Sequence, residues 1–282
     1  MKIHLPSFIP HPSNRRWLAL AAAGLALVLM GFYTITEPGH LEHPVILDGA
    51  DWLGYAVCHR ITDRSFTIAG RQLPLCARCT GMYLGVMIAF ATFWLTGRMR
   101  RTELPPLKLL LVLGGFIVIM GLDGVNSYLH FFPDAPHVYT PHNWLRLLTG
   151  TGTGLAMGSF LFPALAQTLW RQYVRQPMLG TWTELGQLLL VAGFVILLTL
   201  SNQPVILYVM ALISTVGLLL TLGSVNVILG LILLRRDGRA VHWWETAVPL
   251  TLAIIFAIIE LSAVSILRWN LTGTMVGIPG LN

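Results

Sequence analysis

The chain has 282 residues, 55% of them hydrophobic and 11% charged, and a mean hydropathy of +0.70. Charged residues at about half the usual globular share exclude a soluble enzyme and describe a chain that keeps most of its surface in lipid. The formal charge of +6 is carried beside apolar segments, which makes it a topology signal and argues against a nucleic-acid partner.

Seven apolar segments are each long enough, at about 20 residues per crossing, to span a bilayer as helices: 17–36, 77–96, 107–129, 144–169, 183–201, 205–234 and 244–267. The expected fold is an all-α, polytopic membrane bundle. The first segment follows Arg15 and Arg16 and is longer than a signal core, without a small-residue cleavage pattern close behind it, so it reads as an uncleaved anchor. Arg98, Arg100, Arg101 and Lys108, then Arg171 and Arg175, then Arg235, Arg236 and Arg239 fall at every second connection. Basic residues beside helix ends stay in the cytoplasm, which predicts a cytoplasmic N-terminus (1–16), one membrane domain (17–282), an extracytoplasmic C-terminus and residence in the inner or plasma membrane.

The connection between the first two spans then lies outside, and it holds the chemistry. Between Cys58 and Tyr83 stand all three cysteines, His59 and Arg60, Arg64, Arg71 and Arg78. External arginines run against the orientation rule and need a local anion or carboxylate. Pro74 suits entry into a helix, after which Cys76 and Cys79, three apart, share its first turn, where the helix dipole favours thiolate.

In the third span Asp123, Asn126 and His130 fall on one face, and Asn143, Arg146 and Gly150 repeat that spacing at the start of the fourth. Gly81 and Gly85, with Gly150, Gly154 and Gly158, predict close packing of the second span on the fourth. Glu260 inside the last span needs a partner, for which Arg146 is the candidate. Asn226 reads as an interhelical hydrogen-bonding residue, His242, Trp243 and Trp244 as an interfacial belt, and His40 and His43 as solvated interface residues.

The ordered set of motifs, CH then DRSF, LPLCARCTGMYLG, GLDG and NWLRLLTGTGTG, resembles a bacterial and archaeal family of predicted membrane proteins of unknown function marked by its Cys-Ala-Arg-Cys-Thr-Gly segment. The resemblance covers roughly residues 52–160. It implies that Cys58, His59, Arg64, Ser65, Cys76, Arg78, Cys79, Thr80, Gly81, Asp123, Gly124, Asn143, Arg146 and Gly150 belong to a shared pattern, and that residues 180–282 add helices to a family-like core.

Three chemistries compete for these residues. Cys58, Cys76 and Cys79, with His59, His130, His137, His142 or Asp123 as fourth ligand, offer a tetrahedral set that suits zinc: structural if closed, Lewis-acidic if one position holds water. The same thiols could instead exchange disulfides with a membrane quinone, although an odd cysteine count lacks the second pair of a relay. Arg60, Arg64, Arg71, Arg78 and Arg146, with Ser65, Thr80 and Asn143, would cradle the phosphate of a phospholipid or polyprenyl phosphate. The site expected is metal: Cys58, His59, Cys76, Cys79, Asp123; and anion: Arg64, Arg78, Asn143, Arg146. Against all three stands a loop whose arginines only pair with Asp51, Asp63, Asp123 and Glu260, in a non-catalytic subunit of a larger membrane complex.

Overall fold

In lipid every backbone polar group must be satisfied inside its own segment, so the long apolar runs become helices. The computed structural model describes residues 45–68, 70–132, 136 and 138–277. The expected first span at 17–36, and His40 and His43, lie outside them. The described residues form seven α-helices: α1 (Val45–Val57), α2 (Ala77–Leu95), α3 (Leu107–Leu129), α4 (Asn143–Leu169), α5 (Trp182–Leu200), α6 (Pro204–Leu233) and α7 (Trp243–Thr272). Two small pairings join the connections, antiparallel β1 (Thr67–Ile68) with β2 (Arg71–Gln72), and parallel β3 (Arg101–Glu103) with β4 (Val174–Pro177).

Five helices, α2, α3, α5, α6 and α7, are long and apolar enough to cross a membrane. The fourth expected span, α4, is a helix of 27 residues but not one of these five, because its Thr-Gly repeat, Thr149–Gly154, dilutes the apolar run. It can be less apolar because it is enclosed: Leu147, Thr151, Leu155, Ala156, Ser159 and Phe162 on it are all buried. The outer helices are built the other way, with Leu111, Leu122, Leu190 and Leu197 more than half exposed, as lipid contact requires.

Glycine sets the central seam, as the small-residue spacing predicts. A Cβ on Gly81 would stand 2.3 Å from the Leu147 carbonyl oxygen, one on Gly85 2.3 Å from that of Thr151, and one on Gly150 2.2 Å from that of Arg78. The backbones of α2 and α4 touch directly. The same closeness recurs where Gly217 of α6 meets Tyr83 and where Gly54 of α1 meets Pro74.

Helix α1 was not expected. At 13 residues, with Asp48 and Asp51 three apart in sequence, it is too short and too charged to read as a span. It forms because both carboxylates find Arg71 across the following loop, at 2.5 and 2.7 Å, and Arg60 reaches Asp51 at 3.0 Å.

The connections sort into two ends. At one, Arg98 pairs with Glu184 at 3.0 Å, the Trp170 indole donates to the Met99 carbonyl at 3.0 Å, and Arg100 donates to the Val241 carbonyl at 3.1 Å while lying over the Trp170 ring. Three basic connections are tied together there. The cysteine loop is at the other end, with the α3–α4 connection and the turn after α7.

Candidate functional site

Cys58 ends α1, Cys76 caps the start of α2 and Cys79 stands in its first turn. Their sulfurs lie within 4.8 Å of one another, and the thiols are free. Cys58 is 2% exposed and Cys76 1%. The Cys76 backbone N–H donates to the Cys58 sulfur at 3.2 Å, so this orphan amide of the α2 start is satisfied by sulfur.

The three sulfurs share their protons unequally. Hydrogen bonds from Cys76 and Cys79 hold the Cys58 thiol well below its ordinary value, with the His59 ring beside it acting in the same direction. The Cys76 thiol, which donates to Cys58, is pushed up to about 12 by that bond and by burial. In such a cluster the Cys58 thiol ionises more readily than a free cysteine, and two more sulfurs converge on the same point. That is how a metal ligand set is preorganised.

His59 lies beside this cluster, with a buried Nε2 that has no hydrogen-bond partner. A buried imidazole nitrogen left unpaired is costly unless something accepts it. Among the expected fourth ligands, His59 adjoins Cys58 but has no ring nitrogen within 4.8 Å of all three sulfurs, His130 and His142 are likewise outside the group and exposed, and His137 lies outside the described residues.

The sequence placed Asp123 among the metal ligands or against an arginine, and the arginine takes it. Asp123, 2% exposed, forms an ion pair with Arg78 through Oδ2, and the Tyr139 hydroxyl donates to its Oδ1 at 2.7 Å. Arg78 also donates to the Ser127 hydroxyl at 3.1 Å. The carboxylate is not part of the three-sulfur group.

Two of the arginines at this end are used up in holding α1: Arg60 and Arg71 face Asp51 and Asp48. The other three are short of counter-charge. Arg64 donates to the Ser127 carbonyl at 2.8 Å and stacks 3.6 Å from the Phe131 ring centre. Burial and the neighbouring guanidiniums of Arg146 and Arg78 lower it to about 10, which still leaves it charged. Arg146, 5% exposed, donates to the Asn143 side-chain oxygen at 2.8 Å, while Asn143 donates to the carbonyls of Asp63 and Ser65. The Nε atoms of Arg78 and Arg146 are buried with no partner. Three guanidiniums thus gather around one buried carboxylate.

The expected pairing of Arg146 with Glu260 does not form. Glu260 accepts from the Asn226 side-chain amide at 2.9 Å, across α6 and α7, which bears out Asn226 as an interhelical hydrogen bonder. Helical spacing predicted which residues share a face, not how two distant helices are rotated against each other.

Sequence reasoning passed over Tyr139, Ser127 and Arg268. Arg268, near the end of α7, donates to the carbonyls of Tyr55 and Cys58 at 2.6 and 2.5 Å and lies over the Tyr55 ring. Its signal was available: an arginine at the end of a span that the charge pattern predicts to lie outside, where the orientation rule disfavours one.

Residues 58–160, which hold the three cysteines and the arginine cluster, match a family described as predicted membrane protein (DUF2085). An uncharacterized protein of Methanothermobacter thermautotrophicus is 36% identical over 84 residues, 28% of this chain and 76% of the relative. Another, from Methanocaldococcus jannaschii, is 23% identical over 117 residues, 42% of this chain and 69% of the relative. No solved structure gives a significant match. With the matched residues coinciding with α2–α4 and the loop that feeds them, the chain belongs to this family of predicted membrane proteins.

Proposed function

We propose that this protein binds zinc at the extracytoplasmic mouth of its bundle, through Cys58, Cys76 and Cys79 with His59 as fourth ligand, and receives a phosphate-bearing lipid headgroup between Arg64, Arg78 and Arg146 beside it. The observation that carries the reading is the convergence of three unoxidised sulfurs within 4.8 Å, two of them buried and that of Cys79 partly so. Thiolate and imidazole together suit zinc over harder cations. His59, adjacent to Cys58 with its Nε2 unpaired, is the fourth donor in this reading, and its ring must turn toward the three sulfurs to serve as one. A closed set of four makes the ion structural: it staples the end of α1 to the start of α2, and so fixes Arg78, two residues after Cys76, toward α3.

The phosphate reading rests on charge. Arg64, Arg78 and Arg146 face only Asp123 as buried carboxylate, with two guanidinium nitrogens unsatisfied. A phosphate would satisfy them at the depth of the headgroups, where a phospholipid or polyprenyl phosphate presents one. The basic residues of the opposite end support a cytoplasmic place for that end, and with it a site on the outside of an inner or plasma membrane.

Elemental analysis of purified protein tests the metal: one zinc per chain is expected in the wild type and none in Cys76→Ser. Metal-free protein with a reducible Cys76–Cys79 bond contradicts the reading and favours thiol-disulfide exchange with a quinone. Lipid extracted from the same preparations tests the cradle. A phosphate-bearing lipid is expected with the wild type and absent from Arg64→Ala, whereas an Arg64→Ala protein that keeps its lipid removes the cradle from the account. Comigration with a larger assembly in mild detergent, without zinc or lipid, favours the accessory-subunit reading.

A further inference from the structure

A cavity of about 750 Å³ lies between α6 and α7, away from the cysteine site. Its walls are apolar, including Leu229, Leu233, Leu252 and Phe256, and at the basic end its mouth carries Arg236 and Arg239. Asn226 and Glu260 close the other end, hydrogen-bonded to each other at 2.9 Å. From Asn226 to Arg236 is ten residues of chain, mostly in α6 and so about 15 Å. That is half of a hydrocarbon core of about 30 Å, so the groove runs from the headgroup level to the midplane of the bilayer.

The charge at the mouth is unbalanced. Among the described residues neither Arg236 nor Arg239 forms an ion pair, and Arg239 donates only to the Arg235 carbonyl. The nearby Glu245 is engaged as the α7 cap, accepting from the Val241 and His242 amides. Two guanidiniums without an ion-pair partner among the described residues, above an apolar slot one leaflet deep, are complementary to a molecule with a negative head and a hydrocarbon tail.

We propose that this groove holds one acyl chain of an anionic phospholipid from the leaflet at the basic end, its phosphate held by Arg236 and Arg239. The chain lies against Leu229, Leu233, Leu252 and Phe256 and stops at the Asn226–Glu260 pair, which has already satisfied itself. This inference is independent of the zinc and phosphate reading of the opposite end.

Native mass spectrometry of the full-length protein, delipidated and offered dioleoyl phosphatidylglycerol or dioleoyl phosphatidylcholine, tests it. The wild type is expected to retain phosphatidylglycerol about tenfold better or more, and the double variant Arg236→Gln, Arg239→Gln to lose that preference. Gly230→Trp is expected to lose the bound lipid with both arginines in place, because a side chain at Gly230 enters open space within the groove. Should that variant not fold, Leu229→Trp fills the same wall. Equal retention of the two lipids overturns the proposal, and so does phosphatidylglycerol that survives the groove-filling substitution, which would mean surface attraction alone. A dimer that disappears on filling the groove overturns it in favour of a second copy as occupant.

Discussion

Arg268 fixes the backbone on which the sulfur site depends. Its guanidinium donates to the carbonyls of Tyr55, Cys58 and, at 3.5 Å, His59, the groups a helix leaves unsatisfied at its C-terminal end. Directly after them Arg60 adopts φ +50°, a left-handed conformation that costs a non-glycine residue about 1–3 kcal/mol and persists only where its surroundings hold it. Arg268→Leu is therefore expected to weaken zinc retention about 10–100-fold, the usual effect of removing a group that orients a ligand, while helical content by circular dichroism is unchanged. Retention equal to wild type in a chelator competition would show that α1 needs no such clamp. At this scale the cysteines and the buried acid were readable from sequence, since a cluster of thiols and a carboxylate in apolar surroundings demand partners. Which arginine took Asp123, and that Arg60 and Arg71 were spent on α1, was not readable, because several cations were within reach in sequence and only the packing selects among them.

Helices α2 and α4 meet backbone to backbone, and this contact brings Arg78 beside Arg146. A Cβ on Gly154 would lie 1.9 Å from the Met82 carbonyl oxygen, so any larger residue must push the helices apart. Gly154→Leu is expected to cost about 1–3 kcal/mol as overpacking and to lower the detergent melting temperature. Gly193→Leu on α5 meets open space and is expected to leave it unchanged. Equal melting temperatures for the two variants would contradict the close seam. The seam was visible in sequence because small residues at four-residue spacing have a geometric meaning in lipid. Helix α1 was not visible, because its stability comes from ion pairs with residues in a later loop, and neither length nor periodicity carries that information.

The whole molecule is polarised, with basic connections tied together at one end and the sulfur and arginine site at the other. The family match covers α2–α4 and the cysteine loop, and α5–α7 surround that core, α7 contributing Arg268 to the site. Orientation is open to test: Ser201→Cys, exposed between α5 and α6, is expected to react with a membrane-impermeant maleimide in intact cells, and Asp237→Cys, exposed between α6 and α7, only after lysis. The reverse pattern would put the site in the cytoplasm. The most direct measurement for the central claim, that three sulfurs and one imidazole share a single ion, is zinc-edge X-ray absorption on the purified protein. The expected result is three sulfur scatterers at about 2.3 Å and one nitrogen at about 2.0 Å, falling to two sulfurs or to no bound zinc in Cys58→Ser. Zinc surrounded only by nitrogen and oxygen, or a wild-type protein with no zinc to measure, would contradict it.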